Sequence, residues 1–357
     1  MKEIIKYSLV LTLFFSSACV DEIDFEVPAE FSDTLVIQGK IVKGDPSYVE
    51  VIINRLFDFS PESRARVNVQ EVFLFDDSGT EMELTTRSPG SYNVILDENS
   101  PIQPEVGKGY GIRVRALDGR VVESGLDFMP PNSLAQRLNI NEVEEVFINQ
   151  FNEFQSFPRV RLSIDTEVDN NTNGGLLWDV RSIFQVTDSG LDDEIIRTCW
   201  IDRITNATNI YVLDPSQLSE NQVNDFQLTT IPMNRELAEG YFFEVTQLSL
   251  SPRAFEYWRG IDILSEREGS VFDSPVGEVR SNYTNLTDPE DQVFGYFFAS
   301  ESSTLREKVP EIISMQVDSL CPTDNCFIPG NPVCVCGFCC DCRKEEGALE
   351  ERPAFFD

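Results

Sequence analysis

Histidine is missing from all 357 positions of the chain. Its absence removes Ser-His-Asp and Cys-His nucleophile systems, imidazole-ligated zinc or iron, and imidazole-based proton switching near neutral pH. Positive charge is scarce too, with 28 Lys and Arg against 61 Asp and Glu and a formal net charge of −33. A surface of that sign repels phosphate backbones and anionic headgroups, so no nucleic-acid partner is expected. An enzyme built from this chain would have to work through carboxylates, Lys, Tyr or Cys, and so many acids single out no glycosidase-like pair. What is abundant is apolar: 41% of residues are hydrophobic and 26 are Phe. The chain therefore folds; it is not a disordered acidic tail.

The first 19 residues carry the clearest motif. Lys2 and Lys6 precede an apolar run from Tyr7 to Phe15, and Ser16-Ser17-Ala18 leads into Cys19. Charge, short apolar core and small residues in that order make a secretory signal, with a core too short to span a bilayer. Residues 1–18 are therefore expected to be removed. A cysteine directly after small residues resembles a lipobox, although Ser16 stands where an aliphatic residue is usual. Cys19 is the expected lipidation site, where several acyl chains would hold the protein on a membrane. The alternative is an ordinary signal peptide followed by a chance cysteine. Residues 19–29, with Asp21, Glu22, Asp24 and Glu26, read as an acidic tether.

From Thr34 the hydrophobicity takes a period of two. Leu35, Ile37 and Ile41 share one face, and Tyr110, Ile112 and Val114 alternate with Gly111, Arg113 and Arg115, as half-buried strands require. Asp76-Asp77-Ser78-Gly79 and Ser88-Pro89-Gly90 supply turns. The pattern predicts an immunoglobulin-like β-sandwich over residues 30–128, ended by Met129-Pro130-Pro131-Asn132. A second β-rich domain over residues 132–310 follows, with strands at Val160, Leu162 and Ile164 and at Trp178, Val180 and Phe184. Within it, Ser251 as N-cap, Pro252 at the first helical position and Ala254, Tyr257, Trp258, Ile261 and Leu264 at helical spacing predict one short helix on a sheet. Val293 to Ala299 is apolar on both faces and reads as a central strand. The predicted class is thus all-β, with two sandwich-like domains and a cysteine-rich tail over residues 311–357.

That tail holds Cys321, Cys326, Cys334, Cys336, Cys339, Cys340 and Cys342, and Cys199 stands alone upstream. Close thiolates could wrap a zinc ion. In an exported chain without histidine, however, eight cysteines beside Cys19 point to disulfides, with Cys199 pairing into the tail. Their connectivity is open, since eight cysteines allow 105 pairings. Asp169, Asn171 and Asn173, followed by Gly174, match the first half of a calcium loop, but Val180 stands at the twelfth position where a bidentate Glu is needed. A plain hairpin loop has the same composition. Gly107-Lys108-Gly109-Tyr110-Gly111 is followed by strand pattern where a dinucleotide loop needs a helix, and it reads as a turn. No cofactor is expected beyond the acyl anchor, with calcium at the Asp169 loop the candidate ion and thiolate-bound zinc the alternative to the disulfides.

Several landmarks together resemble a family. They are Leu35-Val36-Ile37-Gln38-Gly39-Lys40-Ile41, Cys199-Trp200, Glu256-Tyr257-Trp258-Arg259, Asn282, Val293-Phe294-Gly295-Tyr296-Phe297, Cys340-Asp341-Cys342-Arg343 and Arg352-Pro353-Ala354-Phe355-Phe356. In this order they resemble the Bacteroidota outer-membrane lipoproteins catalogued as domain of unknown function four-two-four-nine. The chain departs from that pattern at Glu346-Gly347, where a Gly pair is usual, and at Phe356, where Trp is common. The resemblance implies a lipid-anchored protein on the outer face of the outer membrane, accessory to a TonB-dependent β-barrel transporter, with no established catalytic residues. In such lipoproteins an acidic run after the cysteine resembles a surface-export signal. Two other roles stay open: a carboxylate-based surface hydrolase, and a non-transport assembly component of an outer-membrane complex.

Overall fold

The computed structural model describes residues 34–56, 66–86, 88–168, 174–189, 195–205, 210–218, 220–265, 279–318, 320–321 and 339–356. The signal peptide, Cys19 and the tether, the calcium-loop residues Asp169, Asn171 and Asn173, and Cys326, Cys334 and Cys336 lie outside the described residues. No helix among those described is long and apolar enough to cross a membrane.

The first eight strands are β1 (Leu35–Lys43), β2 (Ser47–Arg55), β3 (Val69–Asp76), β4 (Glu81–Glu83), β5 (Ser91–Leu96), β6 (Gly109–Ala116), β7 (Val121–Ser124) and β8 (Asp127–Phe128). β1, β2 and β5 pair in one sheet, while β4, β3, β6 and β7 line up in a second. This A-B-E over C′-C-F-G division is the immunoglobulin-like arrangement. Ile37, Ile41, Val51, Leu74, Ile112 and Val114 fill the space between the sheets. Tyr110, near the start of β6, accepts from the Glu105 N–H at 2.7 Å and donates to the Gln103 carbonyl at 3.0 Å. Such a tyrosine corner pins the turn before the sixth strand in sandwiches of this kind.

The remaining elements are β9 (Ala135–Ile148), β10 (Phe154–Glu167), β11 (Gly175–Thr187), β12 (Thr198–Ile204), β13 (Tyr211–Leu213), β14 (Gln222–Pro232), β15 (Tyr241–Leu250), helix α1 (Pro252–Ser265), β16 (Tyr283–Asn285), β17 (Phe294–Lys308), the single-turn helix α2 (Glu311–Ser314) and β18 (Ala348–Leu349). β14, β10 and β9 form a three-stranded sheet. It closes over β11, β12 and β15, with Trp178, Phe184, Phe243, Leu162 and Ile164 in the core between them. Fully burying a side chain of this size contributes roughly 1.5–3 kcal/mol.

The predicted cut between residues 128 and 132 is crossed by both sheets of the first unit. β17 pairs in parallel with β1 from Val36↔Phe294 to Lys43↔Glu301, then continues antiparallel to β15 from Ser302 to Lys308. One strand therefore belongs to both units, and a continuous sheet runs β18-β12-β11-β15-β17-β1-β2-β5. β16 adds to β7 on the other sheet. Asn282 clips the two layers: its side chain accepts from the Phe297 N–H at 3.0 Å and donates to the Phe297 carbonyl at 2.7 Å, while its own carbonyl accepts from the Gly125 N–H at 2.7 Å.

Asp127 ties the same junction from inside. Its carboxylate accepts from Ser251 Oγ at 2.5 Å and from the Ala299 N–H at 2.9 Å. Ser251 Oγ in turn accepts from the Ala254 N–H at 3.2 Å, the N-cap bond expected from the sequence. Burial pushes the Asp127 carboxyl up to about 6, against the two hydrogen bonds that favour its charge. A folded-state pKa raised above the unfolded value of 3.8 means the native state holds the proton more tightly. The associated stability is fully present below pH 4 and is lost as pH rises through 6. At 1.36 kcal/mol per unit, the loss is roughly 3 kcal/mol. Asp127→Asn keeps an acceptor for Ala299 and cannot ionise. Between pH 4 and 7 its stability, measured by urea denaturation, should therefore rise by that amount relative to the natural chain. A constant difference across this window would show that Asp127 is not the responsible group.

Candidate functional site

Where β1, β17 and β11 meet, the continuous sheet is strongly curved. In its order β11-β15-β17-β1, two strands separate β11 from β1, yet Lys40 Nζ on β1 reaches Asp179 Oδ2 on β11 at 2.9 Å. Glu50 on β2 stands 3.4 Å from the same ammonium, and the Tyr48 ring lies below it with the centroid at 5.8 Å. Burial works against the Lys40 charge, but Asp179, Tyr48 and Glu50 outweigh it and hold the ammonium well above the ordinary lysine range. Burial likewise pushes the Tyr48 hydroxyl up, against the pull of Lys40.

Helix α1 roofs this hollow. Its Ala254, Phe255 and Tyr257 bury into the sheet face with Leu248, Leu250 and Phe298, and Tyr257 stacks on Tyr296 at 4.8 Å. The buried stripe is rotated from the predicted one: Phe255 replaces Leu264, which is exposed. That rotation leaves Trp258 and Ile261 half-buried above the ion pair. They enclose, with Ile52, Leu177, Ile210 and Phe298 among others, a cavity of about 340 Å³ whose charged residues are Lys40, Glu50 and Asp179. Trp258 meets Phe298 edge-on at 6.0 Å. Its indole N–H is buried without a hydrogen-bond partner among the described residues. An aromatic-walled hollow with a few convergent polar groups is the usual form of a small-molecule site.

A second feature projects from the body. β9 and β10 are each 14 residues long, longer than the core they cover. Leu138, Val160, Leu162 and Ile164 are buried near the base. Beyond it the apolar pattern continues, exposed among the described residues. Val146, Phe147, Ile148, Phe151, Phe154 and Phe157 are all exposed, Phe151 at 73% and Phe154 at 78%. Phe147 and Phe157 stack at 4.8 Å. The tip turn is well built, since Asn149 Oδ1 accepts from the N–H groups of Phe151 and Glu153 at 2.9 and 3.0 Å. Glu142, Glu144, Glu145 and Glu153 surround the patch, with Arg159 paired to Glu145 at 3.2 Å. Gln316, just after α2, donates to Glu142 at 2.9 Å and brings the exposed Ile312 and Met315 alongside. Clustered apolar surface of this kind marks an interaction site.

The cysteine tail is fastened to the second unit. Cys199 is bonded to Cys342 and Cys321 to Cys339, and Cys340 is disulfide-bonded too. These five cysteines are therefore not thiolate ligands. Buried Asp188 accepts from the Cys342 N–H at 3.1 Å, and the Ser189 N–H donates to the Cys339 carbonyl at 2.8 Å. The last residues close a cluster in which Phe356 packs on Phe242 at 4.8 Å and meets Trp200 edge-on at 6.3 Å. The Phe at a position where Trp is common is thus buried. Gly347 at the other departure gives its carbonyl to the Asp202 N–H at 3.0 Å.

Neither the pocket nor the hairpin was assigned a role from the sequence. Lys40 was visible only as a member of a short landmark, Trp258 as a landmark residue and a member of the predicted helical stripe, and Glu50 and Asp179 are two acids among 61. The hairpin did leave a signal, because apolar residues occupy both parities on either side of Asn149, where a half-buried strand would alternate.

Fold and surface together define an all-β body: an immunoglobulin-like sandwich sharing a strand with a second β unit, a pocket at the junction and an apolar hairpin at one end. The chain belongs to the family described as Domain of unknown function (DUF4249), whose model matches residues 20–306. No curated protein matches the chain.

Proposed function

We propose that this protein is an exported lipoprotein, held at the outer membrane through Cys19, that serves as an accessory binding and docking subunit of a TonB-dependent transporter. The observation that carries the docking half is the β9–β10 hairpin, whose apolar tip is presented on an ordered turn and left uncovered. Its ring of Glu residues disfavours anionic headgroups and suits a protein cleft lined by apolar residues and rimmed by Lys or Arg. The pocket supports the binding half. Glu50 and Asp179 both lie within ion-pair distance of Lys40, whereas a glycosidase-type acid needs a carboxyl in an apolar setting. That contrast favours a binding protein over the carboxylate hydrolase.

The test is a native pull-down from outer membranes with a tagged chain that retains Cys19. A TonB-dependent barrel at near-equal amount is expected. Phe151→Ser combined with Phe154→Ser should lower its recovery by about tenfold or more, since exposed aromatics at an interface centre commonly contribute 2 kcal/mol or more each. Because both side chains are exposed, the unfolding free energy should stay within about 0.5 kcal/mol of the natural chain. Recovery of the lipoprotein alone would refute the transporter reading. Unchanged recovery by the double variant would remove the hairpin from it. A stable barrel complex with no growth phenotype on any single nutrient would favour the assembly component.

A further inference from the structure

The junction pocket has a charge balance that selects its ligand. Two carboxylates, Glu50 and Asp179, face one ammonium, Lys40, at 3.4 and 2.9 Å, and the other residues lining the cavity are uncharged. The hollow is thus left with an excess of one negative charge. Its carboxylates remain partly open, with 34% of the Glu50 and 43% of the Asp179 side chain exposed, whereas Lys40 is 17% exposed. An incoming group therefore meets carboxylate oxygens before it meets the ammonium. An anion would have to approach past both acids to reach a lysine already paired with them. A cation finds free acceptor lone pairs, and the negative field of the whole chain raises its local concentration.

The walls add the second requirement. Trp258 and Phe298 offer ring faces and edges, and Ile52, Leu177, Ile210 and Ile261 offer aliphatic surface. Indole and phenyl faces attract cations, by about 0.5–2 kcal/mol depending on desolvation.

We infer that the pocket between β1, β2, β11, β17 and α1 binds a small organic ammonium ion with an apolar body. This names the ligand class for the binding reading above and rests on it, but ligand capture is measured on the isolated chain and needs neither the transporter nor the hairpin.

The experiment uses three probes sharing one phenyl body: phenylalaninamide as the cation, N-acetylphenylalaninamide as the neutral form and N-acetylphenylalanine as the anion. Binding to the whole chain is followed by saturation-transfer NMR and by thermal shift at about pH 6, where the free amine is protonated. Phenylalaninamide should bind about tenfold more tightly than the neutral probe, as expected for one charge-assisted hydrogen bond, and the anion should bind least. Added salt should narrow the difference. Glu50→Gln should reduce the preference for the cation, and Trp258→Leu should weaken both the cation and the neutral probe, with near-ultraviolet circular dichroism showing that each variant is folded. Equal binding of the three probes, tightest binding of the anion, or no binding of phenylalaninamide to the folded natural chain would each overturn the assignment. A failed pull-down with intact probe binding would refute the transporter reading and leave this one standing.

Discussion

Gly295→Ala should destabilise the protein by more than about 4 kcal/mol and leave it sensitive to protease at the junction of its two units. Gly295 sits on β17 opposite Ile37 in the parallel pairing with β1, at φ 104°. A Cβ there would lie 1.9 Å from the Ile37 carbonyl oxygen and 2.6 Å from its carbon. Both are backbone atoms, so no rotamer change relieves the clash. The unfavourable backbone region alone costs on the order of 1–3 kcal/mol, and separating the strands to admit the methyl group breaks ladder bonds on both sides. Gly79 is the control. It has φ 87°, yet a Cβ there meets nothing within 4 Å, so Gly79→Ala should cost only about 1 kcal/mol. Urea denaturation of both variants separates collision from backbone preference. A Gly295→Ala midpoint close to that of Gly79→Ala would mean that β17 can leave β1 at little cost.

The second large effect is expected at the tail. Opening the Cys199–Cys342 disulfide, which spans 143 residues, releases a loop whose closure lowers the entropy of the unfolded chain by the equivalent of about 5 kcal/mol in the chain-entropy model. Cys342→Ser should therefore lower stability by roughly 3–5 kcal/mol and the melting temperature by on the order of 10 °C. Cys342 is fully buried in the second core and Trp200 and Phe356 pack nearby, so the end of the chain should become accessible to carboxypeptidase. Reduction of the natural chain, which also opens the Cys321–Cys339 bond and that of Cys340, should lower the melting temperature at least as far. A variant that melts within a degree or two of the natural chain would show that the aromatic cluster holds the tail without the bond.

The strands and the helix were legible because local pattern specified them. Ile37, Ile41, Ile112 and Val114 point inward at period two, and Ser251-Pro252 starts α1 where the capping chemistry placed it. The run at Val293 to Ala299 was legible as a central strand for the same reason, since both of its faces are covered. Which strands lie beside it was not legible. The parallel pairing of β1 with β17 joins segments remote in sequence, and no local feature of Leu35 or Phe294 encodes it. The division after Met129 was drawn from a proline pair, and a turn there is compatible with a sheet that continues across it. The pocket was hidden for a related reason: Lys40 and Glu50 face each other across the β1–β2 pair, but Asp179 comes from a strand that only the curvature of the sheet brings to them. The disulfides were foreseen as a chemistry, with Cys199 closing onto the tail as it does at Cys342, but not as specific pairs, because the spacing of Cys321, Cys339 and Cys342 leaves many closures open.

The shared strand also sets an order of events during biosynthesis. Lys43 at the end of β1 and its ion-pair partner Glu301 on β17 are 258 positions apart. As the chain emerges amino-terminus first, β1 has β2 on one side but no neighbour on the other until residues 294–301 have been made. The nascent first sandwich therefore exposes an open β edge while most of the polypeptide is still being synthesised. A chain truncated before Phe294 should keep that edge open and be a ready client for an edge-capping chaperone.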